Sequence, residues 1–345
     1  MVKPIVFIDS EIGVEKQEIL DLGAVKYNSG TFHSPSLRDF GNYVSGCDYV
    51  CGHNIIRHDL AYLRPKIPAL QKMIPIDTLF WSPLLFPQKP YHALLKDDKL
   101  RSDELNNPLN DAEKAKKLFH DEENAFHALG GTMKQIFYGL LSNRIEFNGL
   151  FAYLSYRPLL FSLPRAIRKE FGGRICENAD LDVLIKHYPV ELAYALALIG
   201  TNDYHSVTPP WVLRNYPKIQ NVILFLRNTP CADGCDYCRG KLDIFKGLKS
   251  FFGYDAFRTY NGEPLQEKAA QAAVEGKSLL AVFPTGGGKS ITFQLPALMA
   301  GQSAHGLTVV ISPLQSLMKD QVDNLNERGL VDAVTVNGQI GRAHV

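Results

Sequence analysis

Phe283-Pro-Thr-Gly-Gly-Gly-Lys-Ser290 lies between an apolar run, Ser278-Leu-Leu-Ala-Val-Phe283, and a segment of helical pattern that begins Ile291-Thr-Phe-Gln-Leu295. Strand, glycine-rich turn, Gly-Lys-Ser and helix, in that order, make a phosphate-binding loop. Gly286, Gly287 and Gly288 let backbone N–H groups wrap an anion. Lys289 can reach the β- and γ-phosphates of a nucleotide, and the Ser290 hydroxyl can ligate Mg²⁺. The helix that follows turns its N-terminus toward the same anion. The apolar run before the loop is expected to be a buried strand. No Asp-Glu pair that could hold the Mg²⁺ from a later strand follows in the sequence.

Working outward, the 345 residues suggest two or three domains with ample core. The net charge of +1 gives no overall basic signal, so any nucleic-acid contact must come from local patches or from metal ions. Pro4-Ile-Val-Phe-Ile8 is too short for a signal peptide and runs straight into Asp9 and Glu11. The longest apolar candidate, 149–163, is interrupted by Arg157 and Pro158, so no membrane partner is expected. Six cysteines without a secretory signal point to a reduced, cytoplasmic protein rather than a disulfide framework. Composition and pattern divide the chain into residues 1–129, a more helical stretch at 130–245, and a segment from 246 to 345 that carries the phosphate loop.

The first segment carries a set of acidic residues. Asp9-Ser-Glu11 ends an apolar strand, where residues two apart share a face. Cys51-Gly-His-Asn-Ile-Ile-Arg-His-Asp59 follows, and Asp111 opens a helix. Four carboxylates from three segments suit a two-metal phosphodiester site, with ions about 4 Å apart. Carboxylates held so close repel one another, so Mg²⁺ or Mn²⁺ would be needed to neutralise them.

These residues resemble the DEDD family of 3′–5′ exonucleases, which have a ribonuclease-H-like fold. Asp9 and Glu11 match its first motif, Asp59 its second and Asp111 its third. Gly52-His-Asn54 and Ile76-Asp-Thr-Leu79 add to the likeness. The resemblance covers roughly the first 125 residues and implies a catalytic, metal-binding role for all four acids. Two features depart from it. The gap from Asn54 to Asp59 is one residue longer than the commonest family spacing. The positions that usually hold a His or Tyr general base are Asn106 and Asn107, and an amide cannot take up a proton at neutral pH. Metal-bound hydroxide, His92 or His120 are the remaining sources of a base. If none serves, the domain only binds nucleic acid.

Cys231-Ala-Asp-Gly-Cys-Asp-Tyr-Cys238 aims three thiolates at one point, with Gly234 supplying the turn. Cys176 is the candidate fourth ligand. Four cysteines suit Zn²⁺ or an iron–sulfur cluster, and spacing does not choose between them. The expected role is structural, clamping the connector ahead of the nucleotide segment.

In the last segment, Gln266 lies upstream of the loop, where its amide could accept from N6–H and donate to N7 of adenine. Downstream, Thr308-Val-Val-Ile-Ser-Pro-Leu-Gln-Ser-Leu-Met-Lys-Asp-Gln-Val322 reads as a buried strand, a Ser-Pro turn and a helix. Helix N-termini and hydroxyls there can hold a nucleic-acid phosphate. Together these resemble the first RecA-like domain of RecQ-type superfamily 2 DNA helicases, over about 90 residues. Gln266 matches the adenine-reading motif, and Thr285, Gly286, Gly287, Gly288, Lys289 and Ser290 match motif I. Ser312 and Pro313, with Lys319 and Gln321, match motif Ia. RecQ-type helicases, like this chain, lack the first Gly of the general phosphate-loop pattern.

The chain as a whole thus resembles the N-terminal part of a bacterial RecQ-like helicase fused to an exonuclease domain. The implied fold class is α/β: a ribonuclease-H-like domain, a helical cysteine-bearing connector and a partial RecA-like P-loop domain. The resemblance implies ATP and Mg²⁺ as cofactors and DNA as partner. The last six residues, Ile340-Gly-Arg-Ala-His-Val345, are expected to be non-native, with genuine sequence ending near Gln339.

Overall fold

The computed structural model describes residues 3–13, 18–27, 30–92, 107–159, 161–201, 206–284 and 286–336. The chain forms two compact units. The first is Met1–Gly172 with Asp180–Val222, and the second is Gly173–Ala179 with Ile223–Val345. The sheet-bearing segment and most of the helices of 130–222 therefore share one unit, while the cysteine loop goes with the nucleotide segment.

The first unit is an α/β structure around a five-stranded mixed sheet in the order β3-β2-β1-β4-β5. The strands are β1 (Ile5–Ile12), β2 (Ile19–Lys26), β3 (Thr31–His33), β4 (Tyr49–Gly52) and β5 (Ile74–Asp77). β2 is antiparallel to both β1 and β3, whereas β4 runs parallel to β1 and β5. Parallel strands need both faces covered, and their sequences read as near-continuous apolar runs. Ile5–Ile8 and Tyr49–Gly52 are such runs and are fully buried.

On one face, Val6, Ile8, Leu22 and Ala24 pack with residues of α1 (Leu37–Val44), α2 (Asp59–Leu63) and α3 (Pro68–Gln71). On the other, the long α5 (Pro108–Ala128) covers the sheet, with α4 (Thr78–Leu85) packed on α5 and Phe119 of α5 5.4 Å from the Phe7 ring. Two glycines set the close approaches. A Cβ on Gly23 of β2 would lie 2.1 Å from the backbone of Pro108 at the start of α5. A Cβ on Gly149, in α7 (Ile145–Tyr153), would lie 1.9 Å from the Pro75 carbonyl of β5. The remaining helices of this unit are α6 (Gly131–Leu141), α8 (Leu163–Phe171), α9 (Leu181–His187), α10 (Pro189–Gly200) and α11 (Pro210–Asn215). The strongly apolar α10 is buried nearly throughout.

In the second unit every described element of length is helical: α13 (Asp236–Lys241), α14 (Ile244–Phe252), α15 (Leu265–Val274), α16 (Ile291–Ala304) and α17 (Gln315–Asn326). The helix α12 (Ile219–Arg227) leads into it. The two buried strands expected around the phosphate loop do not form. Residues 278–284 and 307–311 have no strand partner, and Leu280 is 91% and Ile311 92% exposed. A run of β-branched and aliphatic residues becomes a buried parallel strand only beside paired neighbours with helices on both faces. No such neighbour exists among the described residues of this unit. The expected helices after each run are present as α16 and α17. No helix among the described residues is long and apolar enough to cross a membrane.

Asp77 closes the sheet. Fully buried at the end of β5, it caps α4 through the Leu79 N–H at 3.1 Å. It also accepts from the N–H groups of Asn54 at 2.9 Å and Ile56 at 3.0 Å, fastening the loop that leads to Asp59. Burial pushes its carboxyl up to about 7, against the pull of those bonds, and burial also raises Glu122 of α5.

Two outcomes follow from these contacts. Gly23→Ala forces α5 off the sheet and is expected to destabilise the first unit by about 1–3 kcal/mol, read by urea unfolding. An unchanged midpoint would show that α5 does not rest on β2 as described. A carboxyl raised in the folded state binds its proton more tightly there than in the unfolded chain. Asp77 therefore contributes a fall in stability as pH rises from the ordinary 3.8 to about 7, and no slope above that. Asp77→Asn should make the fall across this window shallower, and identical pH profiles would refute the assignment.

Candidate functional site

The phosphate loop of the second unit is built by hydrogen bonds from three sides. Gly286 and Gly288 occupy the left-handed region, with φ of +73° and +63°, where a side chain would be strained. The Gly287 N–H donates to the Pro284 carbonyl at 3.0 Å, making the turn. Thr285 lies outside the described residues. Lys289 is exposed, and its ammonium donates to the Phe283 carbonyl at 3.5 Å. Ser290 stands at the N-cap of the 14-residue α16, so the helix N-terminus opens onto the loop as expected.

Gln266 of α15 is 3% exposed and spans the gap to the loop. Its Oε1 accepts from the Arg258 N–H at 2.9 Å, and its Nε2 donates to the Gly288 carbonyl at 2.9 Å. The Tyr260 hydroxyl donates to the Gly287 carbonyl, and the Arg258 guanidinium donates to the Gly286 carbonyl at 3.4 Å. In this arrangement both halves of the Gln266 amide are engaged by backbone. Adenine recognition would have to exchange these bonds. Sequence reasoning missed Arg258 and Tyr260, although both lie shortly before Gln266, the position it did single out.

The motif Ia residues separate. Ser312 accepts from the Leu314 N–H at 3.4 Å in the turn before α17, with Pro313 and Lys319 exposed. Gln321 instead reaches the nucleotide loop: its Nε2 donates to Ser290 Oγ at 3.0 Å, and its Oε1 accepts from Gln294 Nε2 at 2.6 Å. One side chain thus joins the helix expected to meet nucleic acid to the hydroxyl expected to meet Mg²⁺.

In the first unit, Asp9 and Glu11 lie at the carboxyl end of β1. Asp9 pairs with Gly23, the residue against which α5 starts, so the face of Asp9 is the face of α5. Asp111 stands in the first turn of α5, 3.7 Å from Lys114. Asp59, 1% exposed, begins α2 and accepts from Ser10 Oγ at 2.6 Å. Ser10 alternates with Asp9 and Glu11, so Asp59 meets β1 from the opposite side. The four acids gather at one end of the central strand without forming a single close ligand group among the described residues.

His58, next to Asp59, is the ionisable neighbour that sequence reasoning passed over. Its Nδ1 lies 3.5 Å from the Asp59 carboxylate. The bond to Asp59, and then the charges of Asp59 and Glu11, raise it against the opposing effect of burial. Asn107 accepts from the N–H groups of Leu109 and Asn110 as the cap of α5, so it serves helix geometry; Asn106 lies outside the described residues. His92 is buried against Ser82 Oγ at 3.0 Å and is pushed down to about 4 by burial, which fits a packing role. His120 stands nine residues beyond Asp111 on α5, about 13 Å along the axis, packed on Tyr27. His120 therefore lies away from Asp111.

Cys176, Cys231, Cys235 and Cys238 come together, their sulfurs all within 4.8 Å of one another. No other group of three or more metal-type ligands occurs among the described residues. All six cysteines are free thiols, and Cys47 and Cys51 lie apart from this group.

Residues 263–344 match the family model for the DEAD/DEAH box helicase. Over this part the chain is RecQ-like. It is 51% identical over 83 residues to the ATP-dependent DNA helicase RecQ of Haemophilus influenzae, 24% of this chain and 12% of that protein. It is 49% identical over 79 residues to the ATP-dependent DNA helicase Q5 of Rattus norvegicus, 23% of this chain and 7% of that one. With the RecQ of Bacillus subtilis the identity is 47% over 91 residues, 26% and 14% of the two chains. The chain therefore spans a small fraction of the length of these relatives, which come from bacteria and mammals alike. The family match begins beyond all four acidic residues. No solved structure matches.

Gln321→Ala is expected to weaken magnesium–nucleotide binding about fivefold, the loss of one hydrogen bond of about 1 kcal/mol, and to leave magnesium-free binding unchanged. Titration with a fluorescent nucleotide, with and without Mg²⁺, measures this. Equal loss under both conditions would place Gln321 in packing rather than at Ser290.

Proposed function

We propose that this chain is part of an ATP-dependent RecQ-like DNA helicase that carries a metal-dependent 3′–5′ exonuclease-like domain. The observation that carries the helicase half is the pair of side-chain hydrogen bonds that hold the phosphate loop, Gln266 to Gly288 and Gln321 to Ser290, inside the RecQ-like segment. Gly286, Gly287, Gly288 and Lys289 would hold the phosphates, Ser290 the Mg²⁺, and Gln266 the adenine. Ser312, Pro313 and Lys319 would hold the DNA backbone. The sequence contains no Asp-Glu-Ala-His box, so this chain is expected to bind ATP and turn it over slowly or not at all.

The nuclease half is supported by carboxylates at the carboxyl end of the central strand of a mixed sheet, the platform of a ribonuclease-H-like fold. Asp9, Glu11 and Asp111, with Asp59 from the other side, would hold two Mg²⁺ or Mn²⁺, whose chemistry is to activate water and stabilise the leaving oxygen. A second reading, a nucleic-acid-binding module on an impaired nuclease fold, is favoured by Asn107 capping α5 and by the Ser10 bond to Asp59. Six free thiols fit a reduced cytoplasmic setting.

Full-length chain is expected to bind a fluorescent ATP analogue with Mg²⁺, and Lys289→Ala to weaken that binding at least about tenfold, or 1.4 kcal/mol. It is also expected to shorten a 3′-labelled DNA strand with Mn²⁺ or Mg²⁺, an activity that Asp9→Ala abolishes. DNA binding without metal-dependent shortening would establish the binding module instead. Robust DNA-stimulated ATP hydrolysis would refute the expectation of slow turnover.

A further inference from the structure

The thiol cluster is assembled from two distant pieces of chain, and each piece is shaped for it. Cys176 comes from Gly173–Ala179, a short excursion of the chain into the second unit. Its N–H donates to the Leu226 carbonyl at 2.7 Å, which anchors the excursion to α12. The other three come from Cys231–Cys238. There the Gly234 N–H donates to the Cys231 carbonyl at 3.1 Å, in a turn where Gly234 has φ of +61°.

The sulfurs are also surrounded by donors. The Cys235 N–H points at Cys231 Sγ at 3.3 Å and the Glu177 N–H at Cys235 Sγ at 3.4 Å. The Asn178 amide points at Cys231 Sγ at 3.5 Å. Donors aimed at sulfur are the contacts that metal-bound cysteine sulfurs accept, and four cysteine sulfurs in one place suit a cation. Three of the four cysteines are buried, yet no disulfide forms.

The spacing selects a single ion rather than a cluster. A tetrahedral zinc with bonds of about 2.3 Å sets its sulfurs about 3.8 Å apart. Cys176 Sγ and Cys235 Sγ are 3.8 Å apart, and no pair in the group exceeds 4.8 Å. A four-iron cluster carries its thiolates outside an inorganic core, so they stand farther apart than around one ion.

The site also has a mechanical path to the phosphate loop within the same unit. Cys235 is the N-cap of α13, and Cys238 lies within it. Lys246 of α14 donates to the Arg239 carbonyl of α13 at 2.9 Å. α14 then packs on α16 so tightly that a Cβ on Gly247 would lie 2.8 Å from Met299 Sδ and 3.1 Å from Leu295. α16 begins at Ser290.

We propose that Cys176, Cys231, Cys235 and Cys238 hold one zinc ion, not an iron–sulfur cluster, and that this ion braces α13, α14 and α16 beneath the nucleotide loop. Zinc bound only by the folded chain contributes its binding free energy to folding. The metal assignment stands alone; the bracing role rests on the proposal that Gly286–Ser290 hold a nucleotide.

The test uses the full chain purified without added metal. Elemental analysis is expected to give one zinc per chain with neither iron nor acid-labile sulfide. Exchange with Co²⁺ should give the absorption of a tetrahedral tetrathiolate. Cys238→Ser should lose zinc, whereas Lys289→Ala should keep it. Removing zinc from wild-type protein with a chelator should weaken fluorescent-nucleotide binding at least tenfold, and re-adding zinc should restore it. Iron with labile sulfide, or a chain that takes up neither zinc nor cobalt, overturns the metal assignment. Zinc that can be removed without changing nucleotide affinity overturns the brace. Nucleotide binding that Lys289→Ala leaves untouched refutes the nucleotide site and the brace with it, but not the zinc.

Discussion

The first unit depends on how closely α5 approaches the sheet at Gly23. Because that position has no side chain, the start of the helix rests directly on the backbone of β2. From there α5 runs along the sheet, placing Phe119 on Phe7 and burying Glu122. The same contact brings the first turn of α5, with Asp111, to the strand end that carries Asp9 and Glu11. Close packing of this kind transmits position with little slack. The acidic residues therefore owe their arrangement to a glycine outside any motif.

A second constraint fixes the approach of Asp59. The buried Asp77 carboxylate gathers N–H groups from the loop after β4 and from the start of α4. Polar backbone groups buried beside a sheet must find partners, and a carboxylate with several acceptor sites can satisfy a whole turn. This explains why Ile76-Asp-Thr-Leu79 accompanies the acidic set without belonging to it. In the second unit, side-chain amides have the corresponding task. Gln266 and Gln321 tie the phosphate loop to α15 and α17, where no described sheet supports it.

Much of this was legible in the sequence. Ile5–Ile8 and Tyr49–Gly52 announce buried parallel strands, and Gly-Lys-Ser before Ile291 announces a helix with an anion-facing end. The C-x₃-C-x₂-C spacing announces a thiol cluster, and Cys176 joins it as expected. The runs at 278–282 and 307–311 carry the same strand signal, yet they stand exposed. Apolar periodicity measures what a segment would bury, not whether a neighbour is there to bury it. Likewise the spacing of Asp9, Glu11, Asp59 and Asp111 could not reveal that Asp59 meets β1 from the Ser10 side.

The sequence by itself determined the local chemistry. It set where phosphate-binding glycines, acidic strand ends and cysteine turns occur, because these follow from residue type and short-range spacing. Only the tertiary structure decided which distant groups meet. It joined Gln321 to Ser290, set Asp59 against Ser10, and brought four sulfurs to the spacing of a single ion. These are contacts between segments far apart in the chain. They are set by close-packed helices and satisfied hydrogen bonds, which no local pattern encodes.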